Sequence, residues 1–298
     1  MENESHHRPE PVYTDSPEYP PFSGPRFPIN AKTLSIFFGL FAATVFTTWL
    51  VGGPWFSFGL ILILATHEFG HYWACRVNNV NATLPNFIPL PPIPFFLNIG
   101  TMGAFIMIKE PTPNRRTLME IGASGPIAGF IVAVPVLLIG LLNSHIIPEQ
   151  NVDPMTSIRL GDSLIFLGMV KVTLGINPFS IEETVMLHPL AFAGWLGMFF
   201  TALNLLPMGQ LDGGHVIYSL FNSKHAYVAR LSFLALLLLG FHWAGWWVWA
   251  ALVFLLGLKH PPVLNELEPL EPKHRFIGYL SIVIFILTFV PVPFGLIQ

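Results

Sequence analysis

Charge is what this sequence is short of. Only 10% of its 298 residues are Asp, Glu, Lys or Arg, against roughly 25% in soluble domains. With a net charge of −3 and no basic run, nucleic acid is excluded as a partner. A soluble core is excluded too, because no such core hides a chain that is 53% hydrophobic with a mean hydropathy of +0.61. Cysteine is almost missing: Cys75 stands alone, so an intramolecular disulfide is impossible and the redox compartment stays open. What remains is the composition of a polytopic membrane protein in a lipid bilayer.

Residues 1–32 are polar and proline-rich and read as a flexible tail. Their acidic start and the lack of an apolar core argue against a secretory signal. Residues 33–298 read as one transmembrane domain. Apolar stretches at 33–51, 58–77, 118–142, 188–206, 228–258 and 276–296 suit membrane spans. Gly52-Gly53-Pro54 separates the first two, and 228–258 either divides at Phe241-His242 or forms one long bent helix. The expected fold is therefore an all-α polytopic membrane protein with six to seven transmembrane helices. Prolines 85, 89, 91, 92 and 94, with Phe95 and Phe96 among them, rule out a regular helix from Asn78 to Asn98, which reads as an irregular surface loop. Ile99 to Ile108 is apolar but too short to span. Its glycines and β-branched residues predict one or two strands, a short membrane re-entrant β-element whose edge must be covered by protein or by a bound extended peptide. The loop from Asn143 to Leu187 is too small for an inserted domain, and the spacing from Leu160 to Leu174 predicts a short surface helix.

Inside the second apolar stretch stands His67-Glu68-Phe69-Gly70-His71. On a helix the two histidines lie four residues apart on one face, where their rings can share a zinc ion, and Glu68 sits beside them to take a proton from water at the metal. Each ionisable group at mid-bilayer costs roughly 2.5–3.5 kcal/mol, so three of them in five positions need a reason. Asn204-Leu205-Leu206-Pro207-Met208-Gly209-Gln210-Leu211-Asp212-Gly213-Gly214 is the second informative stretch. Pro207 stops a helix, the glycines permit tight non-helical backbone, and Asp212 arrives at the end of a membrane segment. Asp212 reads as the third zinc ligand, with a turn aspartate before glycines as the competing reading. Cys75, one turn beyond His71, reads as a packing residue rather than a fourth ligand, because a catalytic zinc keeps an open position. His215, His225, His242 and His260 read as packing or interfacial histidines. A single Zn2+ held by His67, His71 and Asp212, with Glu68 as general base, would hydrolyse a peptide bond within or beside the bilayer.

Counting Lys and Arg over seven spans places twelve on the side of the N-terminus, and only Arg159 and Lys171 on the other. By the positive-inside rule the N-terminus and the active site then face the cytoplasm, and a bacterial inner membrane is the expected location. The same topology brings His67, His71 and Asp212 to one depth.

The H-E-F-G-H of His67 to His71 followed by N-L-L-P-M-G-Q-L-D-G at Asn204 to Gly213 resembles the site-2 protease family of intramembrane zinc metalloproteases. The small-residue run Gly122 to Gly129 is similar to that family's central motif, although on its own it reads as close helix packing of the small-xxx-small kind. The likeness covers about residues 58–220, the expected catalytic core. It implies that His67, His71 and Asp212 bind zinc and that Glu68 is the base. It further implies that Asn204 holds the substrate or its oxyanion, and that the segment with Gly103 and Ile106 pairs with an unwound stretch of a single-span membrane protein substrate. The chain would be a compact member, since neither the loop nor the C-terminal end has room for a PDZ or a cystathionine-β-synthase-type domain. Oligomeric state is not written in the sequence.

Three rival readings share these residues. Prenyl-processing zinc proteases take their third ligand from a downstream Glu, and Glu182 and Glu183 fall in the outer loop. A metal-ion transporter would use the same His, Glu and Asp cluster as a transit site, but no internal repeat is visible. An inactive relative would lack a motif residue, and none is missing.

Overall fold

The computed structural model describes residues 29–92, 99–108, 110–152, 158–177 and 183–296. Most of the expected tail (up to residue 28), with Pro94, Phe95, Phe96, Lys109 and Glu182, lies outside them.

Helix α1 (Ala31–Val77) starts on a capping box, in which Asn30 and Thr33 exchange side-chain-to-backbone hydrogen bonds of 2.9 Å. It is interrupted at Gly53, whose φ of 77° and ψ of −176° are not helical, next to Pro54, which cannot donate a helical hydrogen bond. The two arms fold back on each other. Phe37 and Phe69 have ring centroids 6.2 Å apart, where a straight helix would separate them by roughly 48 Å. Beside the break, the Thr48 and Ser57 hydroxyls meet at 2.7 Å, and Ser57 donates to the Val45 carbonyl. The glycine-proline break expected from the sequence is thus the turn of a helical hairpin.

The second arm packs with α2 (Arg115–Leu142) and α4 (Pro189–Asn204) around Phe56, Leu60, Ile63, Leu137 and Leu196, all buried. The approach is close because glycines face neighbours. A Cβ on Gly194 would come within 2.7 Å of the Leu137 backbone, and one on Gly70 within 2.8 Å of the Ser124 carbonyl.

Strand β1 (Asn86–Pro89) pairs antiparallel with β2 (Thr101–Phe105), with Phe87 opposite Ala104 and a register shift before Pro89. Part of the segment expected as an irregular loop is therefore a strand. Its apolar residue Phe87 is buried between Phe37 and Phe41 of α1, and Pro89 ends it for want of an N–H. Thr47 donates to the Gly100 carbonyl at 2.6 Å and fixes the hairpin to the first arm.

At the end of the helices near the Gly53 break, β3 (His145–Pro148) pairs with β5 (Glu183–Met186), and β4 (Ile158–Leu160) pairs with β6 (Phe294–Leu296). Between them runs α3 (Leu164–Leu174), the expected surface helix, capped by Ser163. These elements enclose a cavity of about 660 Å³ walled by Phe56, Arg159, Asp162, Phe166 and Phe294. By helix rise it lies roughly 16 Å from His67.

The stretch 228–258 does divide, into α6 (His225–Leu239) and α7 (Gly245–Leu256), which form a second helical hairpin closed by Phe233 against Phe254 and Phe241 against Trp247. Helix α8 (Pro272–Thr288) stops short of the expected 296, because residues 294–296 are drawn into β6. The architecture is helical with small two-stranded sheets. Among the described residues, two helices, α1 and α2, are long and apolar enough to cross a membrane. The 16 residues of α4 rise only about 24 Å, short of a hydrocarbon core of about 30 Å.

Candidate metal centre

His67 and His71 stand one turn apart on the second arm of α1, both buried. Asp212 is the first residue of α5 (Asp212–Phe221), which begins after a non-helical turn through Pro207 and Gly209. Gly213 and Gly214 are helical here, contrary to the non-helical backbone expected of them. Their need is for space, since a Cβ on Gly213 would fall on the Leu205 carbonyl and one on Gly214 on that of Gly209.

Three side-chain atoms converge. His67 Nε2 and His71 Nε2 are 3.1 Å apart, and Asp212 Oδ2 lies 3.3 Å from the first and 3.2 Å from the second. Zinc with ligands at about 2.0–2.1 Å in a tetrahedron sets neighbouring donors about 3.3 Å apart. The triangle fits three of the four corners around one zinc ion. Two imidazoles and a carboxylate are also donors that zinc accepts. The Ile121 carbonyl accepts from His71 Nδ1 at 2.8 Å, which leaves the Nε2 lone pair of that ring for the metal. Cys75 is buried with Ala74, Val80, Ala82 and Ile121 in an apolar cluster, away from the donor set.

Helix α2 forms the wall behind the histidines. A Cβ on Gly125 would fall on His71 Nε2, and one on Gly129 would stand 3.2 Å from His67 Nδ1. A Cβ on Gly122 would meet His215. The small-residue run does pack helices closely, as its spacing predicts, and its packing partner is the metal site.

Glu68 is buried beside the triangle, and the backbone N–H of Ile106 faces its carboxylate. Ile106 comes just after the end of β2, and this N–H is turned toward the site. The Asn204 amide, at the end of α4, comes within 3.2 Å of His67 Nε2. Gly103, with φ 96°, bonds back to Thr101 Oγ1 and has open space where a side chain would be.

The sequence reading missed three groups at or behind the site. The Ile121 carbonyl leaves no mark in a sequence, and Gly125 is visible only as one small residue among several. His215, His260 and His225, expected as separate packing histidines, are instead hydrogen-bonded in a row.

Residues 55–239 match peptidase family M50. The chain is 31% identical over 242 residues to "Probable zinc metalloprotease EGY1, chloroplastic" of Arabidopsis thaliana, covering 79% of this chain and 42% of that protein. It is 30% identical over 239 residues to the protein of the same name from Oryza sativa subsp. japonica, covering 79% and 40%. To "Probable zinc metalloprotease EGY2, chloroplastic" of Arabidopsis thaliana it is 28% identical over 241 residues, covering 78% and 41%. The chain thus spans less than half the length of these relatives. No solved structure matches it. The relatives are chloroplastic, which overturns the expected bacterial inner membrane with its cytoplasmic active site. A Lys and Arg count compares the two sides of a bilayer and carries no information about which membrane that is. Matched over more than half of its length, through the helix that bears both histidines, the chain belongs to peptidase family M50, the site-2 protease family of zinc metalloproteases.

Proposed function

We propose that this chain is a zinc-dependent intramembrane endopeptidase that hydrolyses a peptide bond in a single-span membrane protein. The observation that carries the reading is the buried donor triangle of His67, His71 and Asp212 with Glu68 beside it. Zinc bound there supplies Lewis acidity, polarising a carbonyl and lowering the pKa of water to about 7. Glu68 takes the proton of the attacking water and passes it to the leaving amine, while the Ile106 N–H holds its carboxylate in place. The Asn204 amide, beside His67, donates to the carbonyl oxygen as charge develops on it. Close packing of α2 and α4 against the metal-bearing helix excludes bulk water.

A lipid surround is supported by large apolar side chains left bare on the outside, among them Trp73, Phe241, Val248 and Leu255, at 72%, 77%, 71% and 83% exposure. In this reading residues 33–298 form one membrane domain of six to seven crossings, with a catalytic core at about 58–220. Helices shorter than the bilayer are accommodated by local thinning. The β1–β2 hairpin dips into the membrane and presents its edge near Gly103 to an unwound stretch of substrate. Each strand of a two-stranded sheet keeps one edge without a strand partner among the described residues.

The test is reconstitution of the purified chain in vesicles with a single-span polypeptide. Cleavage is expected to fall to background when a chelator strips the metal and to return with one zinc per chain. Zinc carried across the vesicle wall without any cutting would overturn the proposal in favour of a transporter. Ile106→Pro removes the N–H that faces Glu68. A hydrogen bond to a charged group is worth about 1.5–3 kcal/mol, so cleavage should slow roughly tenfold or more with zinc content unchanged. An unaltered rate would discard the role given to this residue.

A further inference from the structure

The turn after α7 runs as an extended strap, residues 257–271, across the metal-bearing end of the helices toward α8. On the N-terminal side of Asp212 it grips the turn, since Gly209 N–H donates to the Leu258 carbonyl at 3.1 Å. On the C-terminal side it grips α5 itself. His215, one turn after Asp212, donates from Nδ1 to His260 Nε2 at 2.6 Å. The Tyr218 ring lies tilted against that of His260, centroids 4.6 Å apart, and its hydroxyl donates to Glu266 at 2.6 Å. Beyond the other end of α5, Asn222 accepts from His225 Nδ1 at 2.8 Å, and His225 Nε2 accepts the backbone N–H of His260 at 3.2 Å.

These bonds fix every tautomer. His225 donates from Nδ1 to a carbonyl, so its Nε2 is a lone pair and can accept from His260 N–H. His260 donates from Nδ1 to the Pro261 carbonyl, so its Nε2 is a lone pair and must receive the Nδ1 proton of His215. Two ligands of one metal would stand about 3.3 Å apart, so the 2.6 Å contact between His215 and His260 is a hydrogen bond and not a second metal site. His260 is therefore a hub that ties both ends of the ten-residue helix α5. His215, Tyr218 and Asn222, spaced by three and four, lie along the face that it holds.

We propose that His260 is a positioning residue of the metal centre: through the bond it accepts from His215 it fixes the first turn of α5, and so the Asp212 carboxylate, against His67 and His71. The inference rests on the metal-site reading above. Helix α5 has no side-chain cap at its start, and this contact and the Gly209 bond add to its packing on α2 and α8 in restraining rotation about its axis. A small rotation would carry Asp212 Oδ2 out of the triangle.

Zinc affinity of the full chain in detergent, measured by competition with a chelating dye, tests the proposal. In His260→Asn the amide can keep the bond to Pro261 but offers no acceptor where Nε2 was. In His260→Gln the amide oxygen reaches that place. Loss of an outer-shell partner typically costs 10–100-fold in metal affinity. His260→Asn should therefore bind zinc about 10–100-fold more weakly, and His260→Gln should recover most of that loss. Wild-type affinity in His260→Asn would overturn the proposal, as would equal losses in both variants with lowered midpoints, the mark of packing alone. If the His260 variants do not fold, the bond is tested from its other side. His215→Asn keeps a donor at the Nδ1 position and must bind zinc more tightly than His215→Phe, and equal affinities overturn the proposal. A wild-type chain that binds no zinc would instead defeat the function proposed above.

Discussion

Glu68→Gln is expected to stop cleavage while zinc stays bound. The carboxylate is buried beside the donor triangle but is not one of its three corners, so its loss leaves the metal ligands whole. An amide of the same size keeps an oxygen for the Ile106 N–H to donate to, and the local backbone has no reason to move. What the amide cannot do is accept a proton and give it back. General acid–base catalysis contributes roughly 10²–10⁴-fold, and the cleavage rate should fall by that factor at constant zinc content, read by turnover of a single-span reporter and by elemental analysis. In cells, single-span proteins that accumulate uncut in the variant would identify the substrates. A variant that still cuts, or one that loses its zinc, would show that Glu68 is not the base.

Gly125→Ala should empty the metal site without unfolding the chain. The new methyl group falls on His71 Nε2, the atom that binds metal. That ring cannot swing aside, because its Nδ1 is held by the Ile121 carbonyl and it is buried on all sides. Alanine meanwhile improves helix propensity over glycine by about 1 kcal/mol, so α2 itself does not suffer. The combination to look for is a folded, zinc-free and inactive protein, by circular dichroism, metal analysis and cleavage assay together. Gly129→Ala is the matched control. Its methyl group would stand 3.2 Å from His67 Nδ1, a contact that a few tenths of an ångström of adjustment relieves. Zinc should be retained there, and full occupancy in Gly125→Ala would show that the His71 ring has more room than the helix wall allows.

The histidine pair of the site is legible because α-helical periodicity alone puts His67 and His71 on one face, and Asp212 because a carboxylate at a membrane helix end needs a partner. Gly52-Gly53-Pro54 announces a break for the same local reasons, proline and glycine chemistry. What escapes is whatever depends on a partner far along the chain. Strand β1 hides among prolines, since its strand character comes from Phe87 burying against α1 and from pairing with residues 101–105. The His215 and His260 bond joins two ordinary-looking histidines forty-five positions apart. Span counting fares worst where helices are short: α6 and α7 form one apolar stretch in the sequence, and hydropathy says nothing of how such pieces fold back on each other.

The pairing of β4 with β6 bears on the order in which the molecule is completed as it leaves the ribosome. Among the described residues, strand 158–160 has no strand partner until residues 294–296 are made, whereas all three metal donors exist once Asp212 has emerged. Synthesis therefore supplies the reactive end of the molecule first. The cavity between α3 and the strands gains Phe294, one of its walls, only after α8 has been made.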